Sequence, residues 1–245
     1  MIISITHNEV LKTAMNREEL NDIVNEALNE AELESSNIPA IDLYVDQILN
    51  LVNERLQDGS ERYHERQLTK TMINNYSKEG LITPVKGKKY DKEQILQMLT
   101  VYTLKSTLSI NEIKRLLGAM YATEDFDNAE LTRLYDTHLQ IKGNNKEYAH
   151  KTIDEMIESD SLNINDDLDY ITLVCAIAAY SAQLKNIAQA MIDERYPEGS
   201  ASDSEAKDKR EQKLERKKEK KTAKAEAKAA KAEAKAAKAE AKAKE

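Results

Sequence analysis

Apolar residues recur along most of this chain in steps of three and four, the spacing that gives an α-helix one buried face. Leu20, Ile23, Val24, Ala27 and Leu28 form the first stripe, and Asn16 with Glu19 makes a capping box at its start. Ser35, Ser36 and Pro39 break the pattern. Ile41, Tyr44, Val45, Ile48, Leu51, Val52 and Leu56 then resume it as a second helix, which Asp58-Gly59-Ser60 ends. Met72, Ile73 and Tyr76 mark a short third helix, with Thr69 or Thr71 as its cap and Gly80 as a left-handed stop. Asn74, Asn75 and Lys78 are left on its outer face. Pro84 and Gly87 turn the following segment back on itself, which predicts a hairpin tipped with Lys86, Lys88 and Lys89. Asp91 is placed to cap a helix bearing Ile95, Met98, Leu99 and Tyr102. Ser109 and Glu112 form a capping box before Ile113, Leu116 and Leu117.

Beyond Leu117 the pattern predicts two or three shorter helices. One holds Phe126, Leu131, Leu134, Tyr135 and Leu139; after a turn at Gly143-Asn144-Asn145, another holds Ile153, Met156 and Ile157. Residues 170–184 are apolar on nearly every side, which predicts a buried helix. The run is shorter than the ~20 apolar residues of a membrane span and contains Thr172, Ser181 and Gln183, so no membrane crossing is expected. Leu173, Ile177, Tyr180, Leu184, Ile187 and Met191 alternate in steps of four and three, while Ile171, Val174, Cys175 and Ala178 make a second face. Two apolar faces point to two partners, which predicts a homodimer through residues 167–194. From Tyr196 onward the composition shifts to Ala, Lys and Glu, with KAEAKAA repeating from Lys224, Lys231 and Lys238. No side chain after Leu214 can build a core, so a solvated low-complexity tail is expected over 198–245.

The order short helix, glycine stop, lysine-rich hairpin, two helices over residues 68–117 is that of a winged helix-turn-helix. Met72-Ile73-Asn74-Asn75-Tyr76, Gly80-Leu81-Ile82, Pro84, Lys88-Lys89-Tyr90 and Ser109-Ile110-Asn111-Glu112-Ile113-Lys114 resemble the recognition helix, wing and following helices of MerR-type regulators. With Ile38-Pro39-Ala40-Ile41-Asp42-Leu43-Tyr44-Val45-Asp46-Gln47 and Thr69-Lys70-Thr71 added, the chain resembles more closely a bacterial domain family of unknown function with a MerR-like fold. Asn74 stands where MerR-type recognition helices usually carry an arginine, and the wing carries lysines in place of arginine. The resemblance implies an all-α fold with a small β wing and binding of double-stranded DNA. The residues it implicates are Lys70, Thr71, Asn74, Asn75, Lys78, Lys86, Lys88 and Lys89. Flanking this unit (61–120), an acidic helical region is expected over 1–60 and a second helical region over 121–197.

Charge sharpens that expectation. The chain of 245 residues has a net charge of −8, yet residues 62–90 hold seven Lys and Arg against two acids, and residues 205–245 hold sixteen against nine. A local patch, not the total, decides contact with a polyanion. Amides suit adenine edges and lysines suit phosphates. Candidate chemistry is sparse by comparison. His7, His64, His138 and His150 have no metal-ligand spacing and read as surface or satisfied residues. The single cysteine, Cys175, excludes an internal disulfide and reads as a buried thiol. The acidic run at 163–169 lacks the glycine and the closing glutamate of a calcium loop. No phosphate loop or nucleophile elbow occurs. The expectation is therefore a cytoplasmic, non-enzymatic DNA-binding regulator without metal or cofactor. The alternative is a protein-interaction module on the same fold, bound through its acidic helices.

Overall fold

The structure is a computed structural model that describes residues 15–61, 66–85, 87–124 and 126–199. It is mostly helical, with seven α-helices and two short antiparallel strands. In chain order these are α1 (Arg17–Ala27), β1 (Leu43–Tyr44), α2 (Val45–Leu56), α3 (Lys70–Lys78), β2 (Lys89–Tyr90), α4 (Lys92–Leu104), α5 (Ile110–Ala122), α6 (Asn128–Ser159) and α7 (Asp167–Arg195).

Most helix starts have a local cause. Asn16 and Glu19 at α1, Asp91 and Gln94 at α4, and Ser109 and Glu112 at α5 form complete capping boxes, while Thr69 caps α3 by accepting from the Met72 N–H. The helix expected from Ile41 begins only at Val45. Ile41 is exposed and Leu43–Tyr44 is extended, because β1 pairs antiparallel with β2, Leu43 opposite Tyr90 and Tyr44 opposite Lys89. The strand at Lys89–Tyr90 therefore closes on the chain ahead of α2, where a self-paired hairpin was expected.

The main core is centred on α4, which buries nearly its whole circumference, from Glu93 to Leu99 and again at Val101. Around it pack Ile48 and Val52 of α2, Ile73 and Tyr76 of α3, Ile113 and Leu117 of α5, and Leu131 and Tyr135 of α6. A second, smaller core joins Leu20 and Val24 of α1 to Ile157 of α6 and Leu173 of α7.

Two expectations fail beyond residue 122. Gly143-Asn144-Asn145 is not a turn, since α6 runs unbroken through it for 32 residues, and Phe126 precedes that helix, which Asp127 caps. Glycine in a helix interior costs only about 1 kcal/mol. Against that, α6 is held on both sides of Gly143, by Leu131 and Tyr135 in the main core and by Ile153, Met156 and Ile157 in the second. The other failure is α7. Among its residues only Leu173 and Ile192 are buried, so a helix that is apolar all round stands largely uncovered. The helix is 29 residues long and its most apolar 18-residue stretch has mean hydropathy 1.3, so it is also long and apolar enough to cross a membrane by length and composition.

The chain between α1 and β1 is strapped along α6. Tyr135 donates to the Leu33 carbonyl (2.7 Å), Ser35 donates to Asp136 (2.7 Å), and the Lys142 ammonium pairs with both Glu30 and Glu32. Gly59 is required by this strap: a Cβ there would lie 2.6 Å from the Asn29 carbonyl oxygen, where the Ser60 N–H also donates at 2.7 Å.

Candidate nucleic-acid interface

α3 lies across α2 and α4 with Ile73 fully buried and Tyr76 nearly so. That seating leaves Lys70, Thr71, Asn74, Asn75 and Lys78 exposed. None of these five side chains is hydrogen-bonded or ion-paired to a described residue. Both ends of the helix are fixed from behind. At the entrance, Asn53 of α2 donates to the Leu68 carbonyl (3.1 Å) and accepts from the Leu68 N–H (3.0 Å). At the exit, Gly80 adopts φ +70°, as the left-handed stop requires, and the Leu81 N–H returns to the Tyr76 carbonyl at 2.9 Å. Glu79, next to that stop, is held by Lys114 of α5 at 2.6 Å, which neutralises an acid beside the outward amides.

The segment that follows α3 is held by two buried glutamines of α4. Gln97, with no exposed surface, accepts from the Thr83 N–H at 2.7 Å. Gln94 donates to the carbonyls of Thr83 (3.0 Å) and Pro84 (3.1 Å) and accepts from the Asp91 N–H (2.9 Å). Gly87 takes φ +81° at the turn. Lys88 is exposed and unpaired among the described residues. Lys89 is exposed too, but its ammonium sits 4.7 Å from the ring centre of Tyr44, so part of its charge is spent on β1. Tyr90 packs on the core. Lys86 lies outside the described residues, as do His7, His64 and the tail from residue 200.

Asn53, Gln94 and Gln97 were not singled out from the sequence. The available signal was an amide at a helical position otherwise surrounded by buried apolar neighbours. Gln97 sits between Leu96 and Met98, and an amide in such a place must satisfy both its ends.

Other groups are perturbed away from this surface. Burial first, then the nearby Lys142 cation, hold His138 below the ordinary histidine value, with Glu32 opposing; it is half-buried and its Nε2 has no partner among the described residues, where a surface or satisfied histidine was expected. Burial pulls Lys142 down, but its bonds to Glu30 and Glu32 outweigh it and leave the ammonium above its usual value. Tyr102 is pushed up to about 12, chiefly by burial and then by Glu30 and Glu32. Cys175, expected to be buried, is exposed on α7. Among the described residues no group of three His, Cys, Asp or Glu is placed to hold a metal ion.

A domain of unknown function, DUF1836, covers residues 33–138. That span starts at Leu33 in the strap, takes in β1 through α5 with the whole surface described above, and ends about a third of the way along α6, leaving α1 and α7 outside. No curated protein and no solved structure matches the chain.

Proposed function

We propose that this protein is a non-enzymatic, cytoplasmic regulator that binds double-stranded DNA through a MerR-like winged helix-turn-helix. In this reading α3 enters the major groove and the Lys88–Lys89 segment lies on the flanking phosphates. One observation carries it: α3 presents Asn74, Asn75 and Lys78 outward and unpaired, on a helix whose two ends are pinned by Asn53 and by the Glu79–Lys114 bridge. Unpaired amides and cations on a rigid helix suit base edges and phosphates, and pre-positioning them lowers the cost of ordering on binding.

The labour divides by chemistry. Lysines that neutralise phosphates act on all sequences alike, so Lys88→Ala with Lys89→Ala should weaken binding uniformly and flatten the salt slope by up to about two units. Amides on base edges act on preference, so Asn74→Ala or Asn75→Ala should lose ~1–3 kcal/mol of discrimination at each good contact. Fluorescence anisotropy over a salt series, on fragments selected from a random duplex pool, measures both. Binding that ignores salt, or no selectable fragment, would return the reading to a protein-interaction module.

A further inference from the structure

We propose that the uncovered seam of α7 is the interface with a second copy of this chain, the two helices packing antiparallel. This inference does not depend on the DNA reading. It starts from the line Leu173, Ile177, Tyr180, Leu184, Ile187, Met191, whose relative exposures are 1, 37, 41, 48, 56 and 67% in that order. The seam begins inside the second core and turns progressively outward along the helix. Only its first member is covered.

Both ends of the helix are nevertheless fastened to the same body. Leu173 packs with Leu20, Val24 and Ile157 at one end. At the other, Gln189 donates to Glu112 (2.6 Å), and the nearly buried Arg115 donates to Asp193 (2.7 Å) and to the Tyr196 carbonyl (3.1 Å). A helix crossing a bilayer has its ends on opposite sides of ~30 Å of hydrocarbon. To span, α7 would have to abandon one set of these contacts, so its apolar length is better explained by a protein surface.

Charge and area select the occupant. Between Asp169 and Asp193 the only charged residue is Lys185, so the seam offers a charged or polar partner nothing to recognise, whereas an identical seam matches it in length and character. Five seam side chains about half exposed, at roughly 200 Å² each, leave about 500 Å² to cover, and two copies together reach the ~1,000 Å² at which an interface becomes specific. The direction follows from two features. Antiparallel pairing about the point midway between Tyr180 and Leu184 sets Tyr180 against Leu184 and Ile177 against Ile187, so the less exposed half of one seam meets the more open half of the other. It also sets the two helix dipoles head to tail and brings Arg195 level with Asp169, where a parallel pair would align the dipoles and set the two acidic first turns of Asp167 and Asp169 side by side.

Sedimentation velocity at micromolar concentration tests the contact on the full chain, and Cys175, the only cysteine, reports its direction through a spin label. The wild type should sediment with twice the chain mass. Leu184→Glu with Ile187→Glu should sediment as one chain with its helical circular dichroism intact, while Ile171→Lys, on the other face, should stay paired. Labelled Cys175 pairs should be offset by fourteen residues, about 21 Å along the axis. A wild-type monomer overturns the proposal in favour of cover from this chain's own first fourteen residues, or, if the monomer floats with phospholipid vesicles, from a lipid surface. Labels level with one another overturn the antiparallel arrangement.

Discussion

Two buried polar side chains, Gln97 and Tyr76, show how satisfaction, not polarity, sets the energetic consequence of a substitution. Gln97 meets the Thr83 N–H at 2.7 Å and Glu93 at 3.3 Å, so Gln97→Leu would orphan the half-buried Thr83 N–H at a cost of ~1–3 kcal/mol, read as a lower urea midpoint. The Tyr76 hydroxyl is buried with no partner among the described residues, and burial raises its pKa. Tyr76→Phe should therefore leave stability unchanged or slightly raised. His138 adds a pH dependence. Its folded value lies below the unfolded ~6.5, so the stability it contributes is full above that pH and is lost as the pH falls through the folded value. His138→Gln should remove that share of the acid sensitivity in a Tm series below pH 6.5. Glu112 behaves in the same sense at lower pH. Its carboxylate accepts from the Ser109 N–H and from Gln189 and is held below the usual range, so the stability of its Gln189 contact, one part of the α5–α7 fastening, is present above about pH 4.3 and is lost as acid protonates it.

Among the helices, what could be read in advance was what has a local cause. The caps at Asn16, Thr69, Asp91 and Ser109 and the stop at Gly80 were legible because each is a bond between neighbours in sequence. The outward face of α3 was legible for the same reason, its periodicity being short-range. What escaped were features decided by distant chain. Gly143-Asn144-Asn145 has turn chemistry, but two cores, one before it at Leu131 and Tyr135 and one after it at Ile153 and Ile157, hold α6 straight through it. The pairing of β2 with β1, the Asn53 clamp on Leu68 and the two glutamines that hold Thr83 and Pro84 depend on which segments meet, and no local spacing encodes that. Gly143 leaves a direct check. Nothing lies within 4 Å of where its Cβ would be, so Gly143→Ala should stabilise the protein by about 0.5–1 kcal/mol in chemical denaturation.

For the molecule as a whole, the apolar composition of α7 was plain in the sequence, but composition cannot say whether the cover comes from its own chain. The structure leaves that helix fastened at Leu173 and again at Gln189 to Asp193, with the stretch between them bare. An isolated helix frays inward from its termini, since the terminal turns have the fewest bonds to break. Here the order is reversed, because tertiary contacts clamp the termini and, among the described residues, only the helix's own amides secure residues 177–187. Deuterium uptake along α7 in dilute solution should be fastest at its centre and slowest at its ends, and raising the protein concentration should slow the centre alone.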